Sequence, residues 1–561
     1  MTRGEITGRS VRWGALRAER WHVFAAVLLL CGHQAGEALV PVLVGVVIDQ
    51  GVAAGDVHAM LLWLLVLGLD FLFLSHCYRF GARRARHAER HTDRRLRLRI
   101  AERVLDPRGG AEAGRLPGAL ASIATSDTQR VAGLGFGLPL LLAQGTALAV
   151  AAVALLRISL PLGLLILLGT PPLLLLLHLL GRPLEKRSGP EQERAAQASG
   201  VAADLVAGIR VLKGIGAGPA AVHRYTGTSR GALRATLRAT GSQAWLQGAV
   251  LLLDGLFLAL VALVGGRLAL AGALSVGGLV AAVGLAQFLV GPLETIGFVN
   301  ARLAQARASS ERIADVLAAP PAVVPGDRAV PEASPGALAV RGLRAGPLAG
   351  LDLEVRAGEL VGVVADPPVA TALLGALARE SDPEAGAVEL DGVPLAAYPP
   401  EQARGAVLVA AHEAALFAGT VAENVRAGGP GDPAAALAAA GADQVVESLP
   451  AGADTPVTEQ GRSLSGGQRQ RVALARALVA DAPVLVLHDP TTAVDTVTEA
   501  RIAEGLRVLR SGRTTLLVTT SPTLLAVADR VVVVDEGRVR AEGTHADLLA
   551  GDPAYRGLVL A

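Results

Sequence analysis

The residues best suited to chemistry lie in one short stretch, LSGGQ (464–468), ahead of an apolar helical pattern. Ser465 carries a hydroxyl that can donate a hydrogen bond, and Gly466 and Gly467 let backbone N–H groups approach a ligand closely. A helix that begins here directs the positive end of its dipole at that ligand. These residue types in this order predict a helix N-terminus that binds a phosphate group.

A second stretch, GELVGVVADPPVATALLGAL (358–377), has the outline of a phosphate-binding loop without its chemistry. An apolar strand follows a Gly-Glu turn, and an Ala/Leu-rich helix completes the unit. Such loops bind phosphate through a nest of backbone N–H groups and a lysine, and the connection here has no glycine run and no lysine. Pro367 and Pro368 also remove two donors and fix φ.

Apolar segments dominate the first half of the 561-residue chain, which is too long for a single core. The composition is 52% hydrophobic and only 18% charged. A bilayer span needs about 20 apolar residues in helical form. The segments that qualify are 21–48, 59–78, 133–156, 159–181, 245–270 and 276–299. We therefore predict an all-α domain with six transmembrane helices over residues 1–317.

The arginines indicate how these helices cross the membrane. They are dense at the N-terminus and in two long connections, 79–130 and 182–243, and nearly absent from the short connections. The alternation predicts that both chain termini lie in the cytoplasm. The long connections have polar helical patterning and are interpreted as cytoplasmic extensions of the helices. A basic amphipathic helix on the membrane surface is the alternative.

Several polar residues fall inside the apolar segments, where a charge is costly unless it faces a cavity or a partner. Glu37, Asp70 and Asp254 are the candidates for the substrate path, and structural pairing is the alternative for each. Cys31 and Cys77 have no metal or disulfide spacing, and we predict no protein-bound metal site. The net charge of +2 gives no reason to expect a nucleic-acid partner.

The composition and the hydrophobic pattern of the chain change after residue 317. Residues 318–336 are rich in Pro, Ala and Gly and are predicted to form a linker. From 337 to 561, short Val/Leu-rich strands alternate with Ala-rich helices, which predicts an α/β domain around a largely parallel sheet.

The LSGGQ stretch and its surroundings, LPAGADTPVTEQGRSLSGGQRQRVALARALV (449–479), resemble the signature region of ATP-binding-cassette (ABC) proteins. PTTAVDTVTE (490–499) resembles the D-loop region of that family, and ADRVVVVDEGRVRAEGTHADLL (528–549) its final strands. The whole order is similar to an exporter-type half-transporter, with six spans followed by a P-loop-NTPase-like cassette. Within it, 121–131 resembles the first segment that couples the two domains.

The resemblance implies a dimer with two composite sites for ATP and Mg²⁺. Each site combines the Walker motifs of one chain with the signature of the other. Ser465, Gly466, Gly467 and Gln468, with Asp495 of the D-loop nearby, would therefore act on ATP bound by the partner.

The chain's own half of such a site departs from the family pattern at every position compared. The glycine positions of the phosphate loop hold Ala365, Pro368 and Ala370, the lysine position Thr371, and the Mg²⁺-binding hydroxyl position Ala372. His488 stands for the Mg²⁺-binding Asp, Asp489 for the Glu that polarises water, His412 for the Q-loop Gln, and Thr520 for the switch His.

These departures predict that the chain alone does not hydrolyse ATP. A second half-transporter with intact Walker motifs would hold most of the ATP and Mg²⁺, and the pair would export an unknown substrate across a bacterial cytoplasmic membrane. Lipid would be the other partner. The alternative is a pseudo-transporter that serves as a regulatory or assembly subunit, and import rather than export also stays open.

Overall fold

The computed structural model describes residues 6–412 and 415–560, with the side chains of all but 174, 177, 178 and 181–189. The chain forms two compact units. The first consists of Met1–Ile100 and Ala121–Asp315, and the second of Ala101–Leu120 and Val316–Ala561. The domain limits predicted from the sequence, at 317 and 336, stay predictions.

Residues 8–317 are helical nearly throughout. The helices are α1 (Gly8–Ala18), α2 (Arg20–Val46), α3 (Val57–Val104), α4 (Pro117–Ser122), α5 (Thr128–Ala132), α6 (Leu134–Ile158), α7 (Leu160–Ala207), α8 (Ile209–Gly214), α9 (Gly218–Leu270) and α10 (Val276–Leu317). Two π-helical turns, Val47–Ala53 and Ile123–Asp127, continue α2 and α4.

Among the described residues, five helical segments are long and apolar enough to cross a membrane. They are Arg20–Ala53, Val57–Val104, Pro117–Ile158, Gly218–Leu270 and Val276–Leu317. The predicted span 159–181 lies in α7, where the described apolar part is Leu160–Leu173, and the rest includes side chains outside the described residues. At 1.5 Å per residue the 48 residues of α3 extend about 72 Å, so its arginine-rich half continues beyond a bilayer core.

Small residues let the helices of the first unit approach closely. Helix α7 packs along α9, and α2 packs along α6. Gly45 and Gly277 are in backbone contact, because a Cβ atom on Gly277 would lie 2.0 Å from the Gly45 carbonyl oxygen. At the same crossing Asp49 accepts hydrogen bonds from Ser275 Oγ at 2.5 Å and from the Gly277 amide at 2.8 Å.

The second unit contains two main sheets and the helices that cover them. The strands are β1 (Leu338–Ala345), β2 (Leu348–Val355), β3 (Leu360–Ala365), β4 (Ala385–Leu390), β5 (Val393–Pro394), β6 (Val407–Ala410), β7 (Gly419–Thr420), β8 (Pro456–Val457), β9 (Val484–His488), β10 (Thr514–Val518), β11 (Arg530–Asp535) and β12 (Arg538–Gly543). The helices are α11 (Pro367–Leu377), α12 (Pro400–Ala406), α13 (Val421–Arg426), α14 (Pro433–Ala439), α15 (Asp443–Ser448), α16 (Gly466–Val479), α17 (Thr496–Leu509), α18 (Pro522–Ala526), α19 (His545–Gly551) and α20 (Pro553–Val559).

The central sheet positions the candidate site. Its strand order is β12-β11-β3-β10-β9-β6, parallel except for the β11–β12 pair. Strands β9 and β10 are buried along nearly their whole length, as expected for a parallel sheet covered on both faces. Because β3, β6, β9 and β10 are parallel, the residues that follow them meet at one edge. The smaller sheet, β2-β1-β4-β5, is antiparallel.

The predicted linker is hydrogen-bonded within the second unit. The Ala322 amide donates to the Arg108 carbonyl at 2.9 Å, and Gly326 donates to Tyr398 at 3.2 Å. The Arg404 guanidinium donates to the Pro107 carbonyl at 2.6 Å. Residues 101–120 thus belong with the α/β unit, whereas 121–131, the segment that the sequence suggests for coupling, belongs to the helical unit.

Candidate nucleotide-binding site

Helix α16 begins where the sequence predicts a phosphate-binding helix. Ser465 is its N-cap, and Ser465 and Gln468 bond reciprocally. The Gln468 amide donates to Ser465 Oγ at 3.3 Å, and the Ser465 amide donates to Gln468 Oε1 at 2.9 Å. The amides of Gly466 and Gly467 have no partner inside the helix, as at any helix start. Ser465 Oγ accepts this bond and can still donate its hydrogen, so an anion here would meet one hydroxyl and two amide donors.

The two glycines of this motif differ in what the fold requires. A Cβ atom on Gly467 would lie 2.6 Å from the Ala493 carbonyl oxygen, so the packing of α16 against the loop after β9 demands glycine there. A Cβ on Gly466 would make only an ordinary contact, 3.6 Å from the Ala493 Cβ. Packing in the chain alone therefore gives no reason for glycine at 466.

Gln470, which sequence reasoning missed, fixes this loop to α16. Its Nε2 donates to the Asp489 carbonyl and to Thr492 Oγ1, both at 3.0 Å. Its Oε1 accepts from the Ala493 amide at 2.9 Å. The second glutamine of LSGGQRQ was the available signal, although its partners in the loop after β9 are distant in sequence. A cavity of about 480 Å³ beside Gly466 is lined in part by Gln470, His412 and Thr492.

Asp495 has a structural role that the resemblance did not indicate. It is the N-cap of α17 and accepts hydrogen bonds from the Thr498 amide at 3.0 Å and from Thr498 Oγ1 at 2.8 Å. These bonds lower the pKa of Asp495, which holds the carboxylate ionised. Its action on a nucleotide remains a prediction.

Residues 365–372 do not form the loop that the sequence outline suggests. Helix α11 begins at Pro367, so Asp366 alone connects it to β3. None of these eight residues, all described, has positive φ, and a nest of converging amides needs such residues. Pro367 and Pro368 occupy the first two helical positions, which suit proline because their N–H groups have no partner in the helix.

The remaining side chains of this segment serve the packing of α11. Val369 and Ala370 are buried, and Ala372 packs against the main core of the unit. Thr371 Oγ1 donates to the Pro367 carbonyl at 2.8 Å, so the hydroxyl at the lysine position is turned to its own helix. Asp366, exposed at the helix start, places a negative charge where a phosphate would approach.

The neighbouring strand ends bring His412, His488 and Asp489 together. The His412 and His488 ring centroids are 5.8 Å apart, and His488 Nε2 lies 3.7 Å from Asp489 Oδ2. Burial lowers the pKa of His488, Asp489 opposes this shift and His412 reinforces it. A neutral imidazole therefore stands where the family has its Mg²⁺-binding Asp, whereas Mg²⁺ prefers oxygen ligands. Asp489 has a φ of 43°, and its amide donates to the Val518 carbonyl at 3.0 Å.

Thr520 follows β10 and is exposed at the position of the switch histidine. The side chain next to it, Ser521, instead belongs to a local network. Ser521 Oγ and Thr491 Oγ1 both donate to Glu499 Oε1, at 2.8 and 2.6 Å. These bonds hold α17 against the ends of β9 and β10.

The turn before β3 is well hydrogen-bonded, although the residues that would bind ATP in this half-site are replaced. Glu359, in the Gly-Glu turn before β3, accepts from Arg530 Nε at 3.0 Å and from the Arg356 amide at 2.9 Å. The Leu360 amide donates to Asp529 Oδ2 at 2.9 Å. The turn, the strand and the helix therefore persist as structure.

The three candidates for the substrate path lie on different helices. Glu37 on α2 is 3.6 Å from His33 Nε2, one turn away. Asp70 on α3 faces α2 at Gly36, and its Oδ2 is buried without a hydrogen-bond partner among the described residues. Asp254 on α9 is half-buried. Their role in transport stays a prediction.

A helical unit with membrane-length helices, followed by an α/β unit with a signature-headed helix, defines a half-transporter with fused transmembrane and cassette domains. The family description "ABC transporter transmembrane region" matches residues 23–293, and "ABC transporter" matches 348–492. The chain belongs to the ABC transporter family, in its exporter-type form. The predicted fold class is confirmed.

The chain is also similar to individual members of this family. It is 31% identical over 398 residues to the ATP-dependent lipid A-core flippase of Thiobacillus denitrificans, with 69% of each chain covered. It is 33% identical over 540 residues to the multidrug efflux ATP-binding/permease protein of Mycobacterium tuberculosis, where the match covers 93% of this chain and 44% of the relative. The chain thus spans about half the length of the first curated relatives. A solved structure of a bacterial Atm1-family ABC exporter with ATP bound superposes with a TM-score of 0.71 at 25% identity, covering 97% of this chain and 98% of that one.

Proposed function

We propose that this chain is one subunit of a heterodimeric ABC exporter in a bacterial cytoplasmic membrane. A partner half-transporter with complete Walker motifs binds ATP and Mg²⁺. This chain completes the composite site with the start of α16. The observation that carries the proposal is the contrast between that helix start, which offers donors to a phosphate, and the start of α11, which offers two prolines and a carboxylate.

The affinity for ATP that is lost at α11 is large enough to support a division of roles between two different subunits. A phosphate loop makes several charge-assisted hydrogen bonds, each worth at least ~1.5 kcal/mol. Losing three of them lowers affinity by about 4–5 kcal/mol, or roughly three decades. Two copies of this chain would therefore hold two signatures and no strong ATP ligand, and only a different partner supplies what is missing.

The length of the mycobacterial relative supports the pairing of two half-transporters. Nearly the whole of this chain matches 44% of it, which fits a protein built from two such halves. In the proposed dimer, ATP on the partner's phosphate loop receives hydrogen bonds from Ser465 and from the Gly466 and Gly467 amides. ATP binding closes this site and drives alternating access, and hydrolysis by the partner's residues resets it.

The membrane half and the relatives' names support a proposal for the substrate class. A lipid A-core flippase and a multidrug efflux protein, by those names, handle a lipid and drugs. We propose an apolar or amphipathic substrate that enters between the apolar helices, with Glu37, Asp70 and Asp254 as polar contacts.

A regulatory pseudo-transporter is the second candidate, because Ser465 and Asp495 both act as helix caps and so have a structural use without nucleotide. Gly466 separates the two functions. A Cβ there would make only an ordinary contact and its φ is not positive, so the fold does not require glycine at this position. Close approach of a ligand to the backbone does require it, which favours the transporter.

The test is ATP hydrolysis by the full chain in lipid nanodiscs, alone and co-purified with a half-transporter that carries an intact GK[ST] loop. We expect hydrolysis only in the mixed complex, and its loss when the partner's loop lysine is replaced by alanine. Gly466→Ala should reduce the rate at least tenfold without changing the melting temperature. Robust hydrolysis by this chain alone would overturn the proposal. An active complex that is indifferent to Gly466→Ala would favour the regulatory subunit.

A further inference from the structure

Three histidines and one glutamate meet in the helical unit, apart from every residue considered above. Glu19 lies between α1 and α2, where it precedes the first residue of α2. His22 lies in the first turn of α2, and His87 and His91 lie on the arginine-rich half of α3. The absence of metal spacing at the cysteines led to the prediction of no metal site, and that prediction did not consider these histidines. The H-x₃-H spacing at 87 and 91 was the available signal.

The four side chains share one small volume. Ligand atoms of Glu19, His87 and His91 lie within 4.8 Å of one another. His22 Nδ1 is 3.3 Å from Glu19 Oε2. The ring centroids of His22 and His87 are 4.4 Å apart, and those of His87 and His91 are 4.1 Å apart. Glu19, His87 and His91 therefore bring three ligand atoms together, and His22 lies beside both Glu19 and His87.

Glu19 is held as a ligating carboxylate is held in metal proteins. Its side chain is only 8% exposed, and Arg95 Nη2 donates to Oε1 at 2.8 Å. A partner of this kind fixes the orientation of a carboxylate. The guanidinium also opposes a nearby cation, so Oε2, on the histidine side, is the oxygen available for a metal. Arg95 thus leaves Oε2, rather than Oε1, as the Glu19 oxygen that can bind a metal.

The histidines can reach metal-binding distances by side-chain rotation alone. His87 and His91 are one helical turn apart, so they project from the same face of α3, and both are exposed. Zn–N bonds of about 2.0–2.1 Å in a tetrahedron place ligand atoms roughly 3.3 Å apart. The ligand atoms of Glu19, His87 and His91 therefore need to close by at most about 1.5 Å, a movement that the exposed rings of His87 and His91 make freely.

We propose that Glu19, His22, His87 and His91 bind a divalent transition-metal ion, and that Zn²⁺ is the best match. Three imidazole nitrogens and one carboxylate oxygen form a donor set that zinc takes in tetrahedral geometry. Mg²⁺ and Ca²⁺ prefer oxygen ligands, and soft ions such as Cu(I) prefer sulfur, which this group lacks.

A metal at this position joins the junction of α1 and α2 to α3. Because the unfolded chain has no preformed site, the binding free energy adds to the stability of the folded helical unit. Zn²⁺ is therefore expected to raise the melting temperature of the protein, by an amount that grows with the logarithm of the ratio of free Zn²⁺ to its Kd.

The experiment uses the full chain without a histidine tag, in detergent micelles, after removal of metal with a chelator. Zn²⁺ is titrated in competition with a chromogenic chelator, and Co²⁺ is titrated with its visible absorption as the readout. We expect one Zn²⁺ per chain, a tetrahedral Co²⁺ spectrum, and at least 30-fold weaker Zn²⁺ binding in the double variant His87→Gln/His91→Gln. That variant should also lose the rise in melting temperature. His223→Gln, which changes an exposed histidine outside the group, is the matched control and should bind as the wild type does.

Both substituted histidines are exposed, so the double variant is expected to fold, and its melting temperature without metal checks this. Equal Zn²⁺ affinity in the double variant and the wild type would overturn the proposal. So would an octahedral Co²⁺ spectrum, or the absence of stoichiometric binding. None of these results depends on a partner subunit or on ATP hydrolysis.

Discussion

Helices α16 and α11 both start after an extended N-cap residue in the same cassette, yet they present different atoms at the first turn. The start of α16 has a serine hydroxyl and two glycine amides. The start of α11 has an aspartate and two prolines. Both helices have the same dipole, so the dipole alone does not make a phosphate site. The donors of the first turn and the charge of the preceding residue decide whether an anion is attracted or repelled.

The sharpest test of this comparison places the same bulky cation at the start of α16 and in the second turn of α11. Ser465→Arg should reduce ATP hydrolysis by the complex at least 100-fold, because it removes the hydroxyl and fills the space of the phosphate. Gly467→Asp should do the same, since even a Cβ atom meets the Ala493 carbonyl at 2.6 Å. Thr371→Arg on α11 is the control and should leave the rate within twofold. Equal losses at both helices would remove the distinction between them.

The next effect concerns how α16 holds the loop after β9. Gln470→Ala removes three hydrogen bonds, each worth about 1 kcal/mol. We expect about tenfold slower hydrolysis by the complex, because the loop shifts against Gly467. Gln402→Ala is the control, since Gln402 also accepts a backbone amide, from Val330 at 3.0 Å, but lies away from α16. An unchanged rate in Gln470→Ala would show that the loop position does not matter to the signature.

Stability of the frame around α11 can be tested separately from nucleotide chemistry. Glu359→Gln should lower the free energy of unfolding by about 2 kcal/mol at pH 7, as expected for lost charge-assisted hydrogen bonds. Thermal denaturation of the full chain measures this. Glu354→Gln, at an exposed ion pair with Arg341, is the control and should cost less than about 1 kcal/mol.

The same residue predicts a pH dependence. Burial alone would raise the pKa of Glu359, but the hydrogen bonds from Arg530 and Arg356 outweigh it and the net shift is downward from 4.5. The stabilisation is therefore complete above that value and is lost as the pH falls through the lower pKa of the folded state. The difference in melting temperature between wild type and Glu359→Gln should shrink below about pH 4.5. A constant difference down to pH 3 would contradict this.

The smallest expected effect is at Asp489, which stands where the family has the glutamate that polarises water. Asp489→Ala should change ATP hydrolysis by the complex less than twofold, because its backbone carbonyl, rather than its carboxylate, makes the contact with Gln470. Loss of turnover in Asp489→Ala would mean that this half-site is catalytic, and the comparison between α16 and α11 would fail.

Local patterns in the sequence predict a large part of this architecture. The helical half, the parallel sheet and the start of α16 follow from apolar runs, β-branched strands and a capping motif. The start of α11 could also have been predicted, since two prolines favour the first turn of a helix. The similarity of this stretch to a phosphate-binding loop drew attention away from that signal. Asp495 as a cap was readable from the aspartate and the threonine three residues later.

Contacts that depend on the tertiary fold were not predictable in this way. Glu19 and His22 lie at the start of α2 whereas His87 and His91 lie on α3, and no local pattern places His22 beside His87. The role of Gln470 depends on the loop after β9, which is distant in sequence. Spacing along one helix is visible in a sequence, whereas the packing of one helix against another is set by all the side chains between them.

The one-residue connection between β3 and α11 also limits how this chain can change through evolution. A lysine at position 371 gains nothing while helix α11 starts at Pro367, because there is no loop around a phosphate for it to complete. Removing one proline leaves the other, and removing both leaves Asp366 opposing the anion. Each single substitution is therefore without benefit until the others have occurred. Stepwise mutation is therefore not expected to restore an ATP site here. Dependence on a partner, once established, is expected to persist in the descendants of this chain.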